Sequence, residues 1–406
     1  MKRTITFLIL LITGSITNAQ WVRTTDINNG YITCIASDGK IIYAGASGAG
    51  VFRSTDNGKN WTSLGLENTN VMYLGVNGDN VFVVTLVNGL YRSTNKGENW
   101  SLVNDGLHSP NRYITSFAFS GNNIFVGTNG DGVYISTNNG NTWSQVNNEQ
   151  TGISTLSLAI NKEHLFAGTY PSGAIIHSTN NGLTWTKVNN GMLTGMGVAL
   201  AFLDTIIFAG SPLNFEGGGG VYRSTDYGLN WAQVNNGFPT IFYFDNFTSS
   251  GNNIFAATNA GVYLSIDNGN NWTRDNTGMP NYGLEFLAIC GNNIFGCSYG
   301  GGIWYRPIQE LVWISTKQVD GFNLFQNYPN PFNPTTEIRY SIVNEGNVQL
   351  TIYNVLGSRI ATIVNEYKQA GNYSVQFNGS NLPSGIYFYR LEAGQFSQVK
   401  KMMLVK

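Results

Sequence analysis

The eight-residue phrase Ser-x-Asp/Asn-x-Gly-x-x-Trp is written six times along the chain: Ser54–Trp61, Ser93–Trp100, Ser136–Trp143, Ser178–Trp185, Ser224–Trp231 and Ser265–Trp272. The tryptophans fall 39, 43, 42, 46 and 41 residues apart. A fixed period near forty, in a chain of short alternating apolar runs, marks a β-propeller with one four-stranded blade per repeat. Composition fits such a chain. Charged residues are only 11% of the total, whereas glycine (49 residues) and aromatics (13%) are plentiful. Small turn-formers and aromatics suit many short strands joined by tight turns. A net charge of −1 favours neither nucleic acid nor an anionic membrane as a partner.

Period-two apolar runs divide each repeat into four strands. Seven innermost strands are expected, from ITCIAS (32–37) to EFLAIC (285–290), each followed by a second and a third strand. The phrase occupies the turn after the third strand, and its Trp opens the fourth. The seventh third strand, Ile303 to Arg306, runs into Pro307 and has no such turn. Its missing partner stands at the other end, because Gln20-Trp21-Val22-Arg23 resembles a fourth strand without its turn. The N-terminal strand is therefore expected to complete the last blade, which removes two open sheet edges. Residues 20–306 number 287, or 41 per blade for seven blades. The expected fold is all-β: a seven-bladed propeller over 20–306, a linker over 307–321 and a small Ig-like β-sandwich over 322–406.

In the repeated turn, an Asp or Asn side chain accepts backbone N–H bonds, and Gly takes a positive φ that other residues resist. Trp buries apolar area worth about 2–3 kcal/mol. Asp56, Asp226 and Asp267 alternate with Asn95, Asn138 and Asn180. That interchange suits an acceptor in a turn and does not suit acid–base chemistry. These residues and Trp61, Trp100, Trp143, Trp185, Trp231 and Trp272 are read as structural.

The phrase resembles the Asp-box, or BNR, repeat of sialidases, sortilin-type receptors, xyloglucanases and photosystem-assembly propellers. The resemblance implies that the turns lie on the face away from the ligand. The sialidase activity it suggests needs three convergent arginines. Here Arg53, Arg92 and Arg223 share one repeat position beside Arg306, and Arg23 and Arg274 share another, so they spread around the ring. A glycoside hydrolase needs two facing carboxylates roughly 5–10 Å apart. The candidate acids are Asp105, Glu149, Glu216, Asp245, Asp275 and Glu285, and nothing in the sequence pairs them. The opposite face is better read as a binding surface, with His108, Arg112, Tyr170, Phe215, Phe238, Tyr243, Tyr282 and Tyr299 in its loops. Exposed aromatics of this kind stack on sugar rings or anchor a protein.

Residues 1–19 read as a secretory signal peptide, with basic Lys2 and Arg3, an apolar stretch and small residues before Gln20. No segment is long and apolar enough for a transmembrane span. Cys34, Cys290 and Cys297 read as buried thiols on strands, without metal-ligand spacing. No metal or cofactor is expected.

Beyond Phe322 the period is lost. Pro329-Asn330-Pro331-Phe332-Asn333-Pro334, the following Thr335 to Tyr340, and an ending that includes Lys400 and Lys401 resemble the type A sorting domain of the bacterial type IX secretion system. The resemblance implies passage through the periplasm, recognition by the type IX secretion machinery, and export across the outer membrane. The protein is then released or held at the cell surface. The combined expectation is a secreted or cell-surface, non-catalytic propeller that binds a glycan or protein, a glycan being preferred. A glycoside hydrolase acting on polysaccharide is the competing reading, and an assembly scaffold a third.

Overall fold

The computed structural model describes residues 20–27, 31–108, 114–146, 154–171, 173–192, 199–211, 219–239, 244–274, 276–279, 283–298, 301–311, 322–368 and 371–406. The expected signal peptide lies outside them. The chain divides into two compact units, Met1–Leu311 and Val312–Lys406.

The first unit holds, among the described residues, seven four-stranded antiparallel sheets. Strands are numbered along the chain from β1 (Val22–Arg23). Blade 1 contains β2 (Tyr31–Ser37), β3 (Ile42–Ser47), β4 (Gly50–Ser54) and β5 (Thr62–Ser63). Blades 2 to 6 repeat that order, with innermost strands β6 (Val71–Asn77), β10 (Ile114–Ser120), β14 (Ser154–Asn161), β18 (Ala199–Leu203) and β22 (Phe244–Ser250). Blade 7 has β26 (Phe286–Cys290), β27 (Asn293–Ser298) and β28 (Gly302–Pro307), and β1 supplies its fourth strand. Val22 pairs with Tyr305 and Arg23 with Trp304. Neighbouring innermost strands touch all the way around, β26 returning to β2, so the ring is closed as the spacing predicts.

What joins one blade to the next is largely the repeated tryptophan. The indole N–H of Trp100, Trp143, Trp185, Trp231 and Trp272 donates to the carbonyl of Leu64, Val103, Val146, Val188 and Val234 of the preceding blade, at 2.7–3.0 Å. Trp21 takes the same place in blade 7. It is 1% exposed, and its backbone N–H donates to Thr277 O at 2.8 Å. The seam between blades 7 and 1 is made differently. The Trp61 indole N–H finds no hydrogen-bond acceptor among the described residues. Thr25 Oγ1 donates there instead to the carbonyls of Gly58 and Lys59, at 3.1 and 2.8 Å.

The three cysteines are free and buried. β28 leads into one helical turn over 308–311, where Ile308 and Leu311 are buried and Arg306 is fully enclosed. The first compact unit runs to Leu311, so the buried Ile308 and Leu311 of the expected linker fall within it.

The second unit is a two-sheet sandwich. Its strands are β29 (Asn323–Leu324), β30 (Thr335–Ile342), β31 (Gly346–Asn354), β32 (Arg359–Lys368), β33 (Gly371–Asn378), β34 (Gly385–Ala393) and β35 (Phe396–Leu404). One sheet is ordered β29-β30-β33 and the other β32-β31-β34-β35. Ile338, Tyr340, Leu350, Ile352, Tyr389 and Met402 lie at the core between them. The Pro-rich segment clasps the last strand. Phe332 is buried, its N–H donates to Met403 O at 2.9 Å, and its carbonyl accepts Val405 N–H at 3.0 Å. Asn330 Oδ1 accepts Met403 N–H at 2.8 Å. Pro329 O accepts from Asn327 and Thr336, and Pro334 O from Gly379. Pro331 and Asn333 are exposed, as is Lys401 on β35, while Lys400 is half-buried.

If β1 closes the ring, Trp21→Ala in the chain starting at Gln20 removes a fully buried aromatic from the closing strand. Urea unfolding is expected to show a loss of about 3–5 kcal/mol, the usual range for Trp→Ala in a core. An unchanged midpoint would contradict the closure.

Candidate functional site at the ring mouth

The repeated turns are chemically occupied. In every copy the Ser Oγ donates to Oδ1 of the Asp or Asn, at 2.8–2.9 Å. The same Oγ accepts the Gly N–H, at 2.8–2.9 Å. Oδ1 also accepts the backbone N–H of the residue before Trp. The side-chain bond from Asn60, then the backbone N–H bond, hold Asp56 down to about 2, so it stays an ionised acceptor. The residue before each Gly (Asn57, Lys96, Asn139, Asn181, Tyr227, Asn268) also has a positive φ, a second left-handed position that sequence reading missed. At Gly97, a Cβ would stand 2.4 Å from Leu64 Cδ1 of the preceding blade, so this glycine is also needed for close approach.

Arg53, Arg92 and Arg223 are equally committed. Each Nη1 donates to a carbonyl in the next blade's turn, at Lys96, Asn139 and Asn268 respectively. They do not converge on a pocket.

Antiparallel order puts these turns at the end of the ring opposite the start of the innermost strands. At that far end the strands share a defect. The register of β2, β6, β10, β14 and β22 slips by one residue at Thr33, Met72, Thr115, Leu156 and Asp245. Each is a β-bulge, a device that re-aims a side chain and recurs beside functional sites. In blade 7, Glu285 N–H donates to Cys297 O at 2.8 Å while Phe286 pairs with Cys297, so Glu285 holds the equivalent position. Two of the bulged residues reach the following blade. Thr33 Oγ1 donates to Val71 O at 2.6 Å, and Thr115 Oγ1 donates to Thr155 O.

Asp245 and Glu285 therefore occupy one repeat position in adjacent blades. Beside them Asn246 Oδ1 accepts Leu287 N–H at 3.2 Å and ties the two strand starts together. Asp245 is an exposed residue and Glu285 half-buried. Loss of water around the Asp245 carboxyl, and secondarily the Glu285 charge, push it up to about 7. Near neutral pH the Asp245 carboxyl can donate as well as accept a hydrogen bond.

The other predicted residues are scattered. His108 is exposed and its Nδ1 shares a 3.1 Å hydrogen bond with Tyr134 Oη. Tyr170 is 48% exposed at the end of its strand. Phe238 packs against Tyr263 and Trp272, with ring centroids 4.4 and 5.1 Å away, and belongs to a blade contact. Asp105 is exposed and its carbonyl accepts Trp143 N–H. Arg112, Phe215, Tyr243, Tyr282, Tyr299, Glu149, Glu216 and Asp275 lie outside the described residues. Two residues that sequence reading missed stand at the same end of the ring: Tyr31, 64% exposed at the start of β2, and Val87, 68% exposed in the turn between the second and third strands of blade 2.

Comparison with known proteins agrees with both units. Residues 326–406 match the secretion system C-terminal sorting domain, and residues 68–199 match the DUF6242 beta propeller domain. No curated protein matches the chain. Among solved structures, YCF48 bound to D1 peptide is similar over 71% of this chain and 96% of its own, at 16% identity and a TM-score of 0.56. PorZ of the type IX secretion system of Porphyromonas gingivalis is similar over 93% of this chain, at 14% identity and a TM-score of 0.54. The GH74 xyloglucanase of Xanthomonas campestris is similar over 80%, at 15% identity and a TM-score of 0.55. The chain covers 60% of PorZ and 59% of the xyloglucanase. These likenesses establish the fold. Together with the sorting domain they define the class: a β-propeller exported by type IX secretion to the cell surface or beyond. No described helix is long and apolar enough to cross a membrane.

A carboxyl whose pKa is raised on folding takes up its proton more readily in the folded state. Its contribution to stability is complete below the ordinary value of 3.8 and is lost as the pH rises to about 7. Thermal unfolding followed from pH 4 to 8 should therefore show a decline that Asp245→Asn flattens. Identical profiles for the two proteins would overturn the pairing.

Proposed function

We propose that the chain is an exported, non-catalytic binding propeller that takes a glycan at the ring mouth bounded by Asp245, Glu285 and Tyr31. The observation that carries this reading is the order of the ring. Asp245, Glu285 and the exposed Tyr31 stand at the same end of three consecutive innermost strands, β22, β26 and β2. A sugar presents an apolar C–H face, suited to stacking on Tyr31, and hydroxyls suited to the carboxyl pair. The low charge of the chain favours a neutral ligand. A protein ligand is the other form of the same reading, and the peptide-bound YCF48 is a propeller of that kind.

The glycoside hydrolase reading is supported by one specific observation, the placement of Asp245 and Glu285 at one repeat position in adjacent blades, where loss of water and the second acid push the Asp245 carboxyl up. An acid so tuned serves as a proton donor in glycoside hydrolysis, and one similar propeller is a xyloglucanase. Against it, both acids come from one repeat position and sit side by side on neighbouring blades rather than facing each other across a sugar.

The purified chain is expected to retain one or more polysaccharides from a glycan array without cutting them. Tyr31→Ala should weaken binding about tenfold, as loss of one stacked ring does. Cleavage that disappears in Asp245→Asn would replace the binding reading with the hydrolase. In a type IX-competent host, deletion of 322–406 should leave the propeller inside the cell, as read by fractionation. Unchanged export would refute the role of the second unit.

A further inference from the structure

Three repeat positions change together at the seam between blades 4 and 5. The second strand of blade 4 starts with His164, where blades 2, 3, 6 and 7 have Asn80, Asn123, Asn253 and Asn293. Its third strand carries His177, at the position of Arg53, Arg92 and Arg223. The turn of blade 5 carries Tyr227, where four other turns have Asn57, Asn139, Asn181 and Asn268. Elsewhere these positions meet through fixed polar contacts. Arg92 Nη1 donates to Asn139 O, and Asn139 Nδ2 donates to Asn80 Oδ1 at 3.1 Å.

At this seam the same positions build an aromatic column. Phe166 stacks on His177 with centroids 4.3 Å apart, and His164 stacks on Tyr227 of the next blade at 3.6 Å. His164 Nδ1 and His177 Nε2 share a hydrogen bond of 2.9 Å, which requires at least one of the two facing nitrogens to be unprotonated. An arginine staple keeps its charge at any physiological pH; an imidazole pair does not.

We propose that the seam between blades 4 and 5 is an acid-labile joint, in which protonation of the His164–His177 pair breaks the column and releases the turn Ser224–Trp231. Burial, and secondarily the nearby His164, push His177 down to about 4. The open form therefore binds a proton that the closed form excludes, and opening grows easier as the pH falls from 6.5 toward that value. The other charges around the joint are few. Glu163 Oε1 lies 3.9 Å from His164 Nε2, and Lys162 is beside it in the same turn. Lys187 pairs with Ile176 on the adjoining strand. Asp226 is held within its own turn, and the carbonyl of Asp204 accepts from Asn161. Of these, Glu163 is the acid that lies nearest the pair.

The repeat supplies an internal control. Amide hydrogen exchange on the chain starting at Gln20 compares the turn Ser224–Trp231 with the turn Ser265–Trp272 of blade 6. Between pH 7.5 and 5 the ratio of their protection factors should fall about tenfold. In His177→Phe, which keeps a ring but cannot titrate, the ratio should hold constant. If that variant does not fold, His164→Asn, which installs the residue of the other blades, serves the same purpose. A constant ratio in the natural sequence, or an undiminished fall in the variant that folds, would overturn the proposal.

Discussion

The indole N–H of one repeat donating to a carbonyl of the repeat before it is the interaction on which this propeller depends. A four-stranded blade cannot bury both of its faces alone. The tryptophan supplies a large apolar area and a directional bond to the same neighbour, so each blade is fixed by its predecessor. The serine, the Asp or Asn, and the glycine hold the turn that aims the ring, and the glycine leaves room for the preceding blade. A chain of such dependencies must end somewhere. It ends at Trp21, which lends the last blade its outer strand, and at Thr25, which bridges the seam where the Trp61 indole finds no acceptor among the described residues.

That economy determines where function can sit. Residues that fasten the blades have no free valence for a ligand, and the arginines beside them are spent on the next blade's carbonyls. The opposite end is less constrained. There five innermost strands, β2, β6, β10, β14 and β22, begin with a bulge, whose residue is free to vary because it is not part of the ladder, and Glu285 holds the equivalent position in blade 7. Thr33 and Thr115 use the position for a bond between blades, Met72 and Leu156 make it apolar, and Asp245 and Glu285 make it acidic. The ring is thereby polarised, with two acids and Tyr31 on one arc.

Much of this was legible in the sequence. The period, the seven blades, the closure by residues 20–23 and the sorting domain all follow from repeated residues whose physical role is the same in every copy. The acidic pair was not. Asp245 and Glu285 were visible as candidates, but a bulge inserts one residue and shifts the alternation, so simple strand alignment hides that they share a position. Tyr31 escaped notice because it precedes the apolar run, where a strand start and a loop look alike. Phe238 reads as a loop aromatic, yet it is half-buried by ring contacts with Tyr263 and Trp272, later in the chain. Ile308 and Leu311 looked like linker because two apolar residues carry no period.

The proposed ligand engages the bulge end of the ring and leaves the repeated turns untouched. Hydroxyl-radical footprinting of the propeller, with and without a polysaccharide it retains, tests this directly. Protection of Tyr31 is expected, with no change at the six turn tryptophans or their neighbours. Protection concentrated on Tyr227, Leu183 and Leu229 at the turn end, with Tyr31 unchanged, would contradict it.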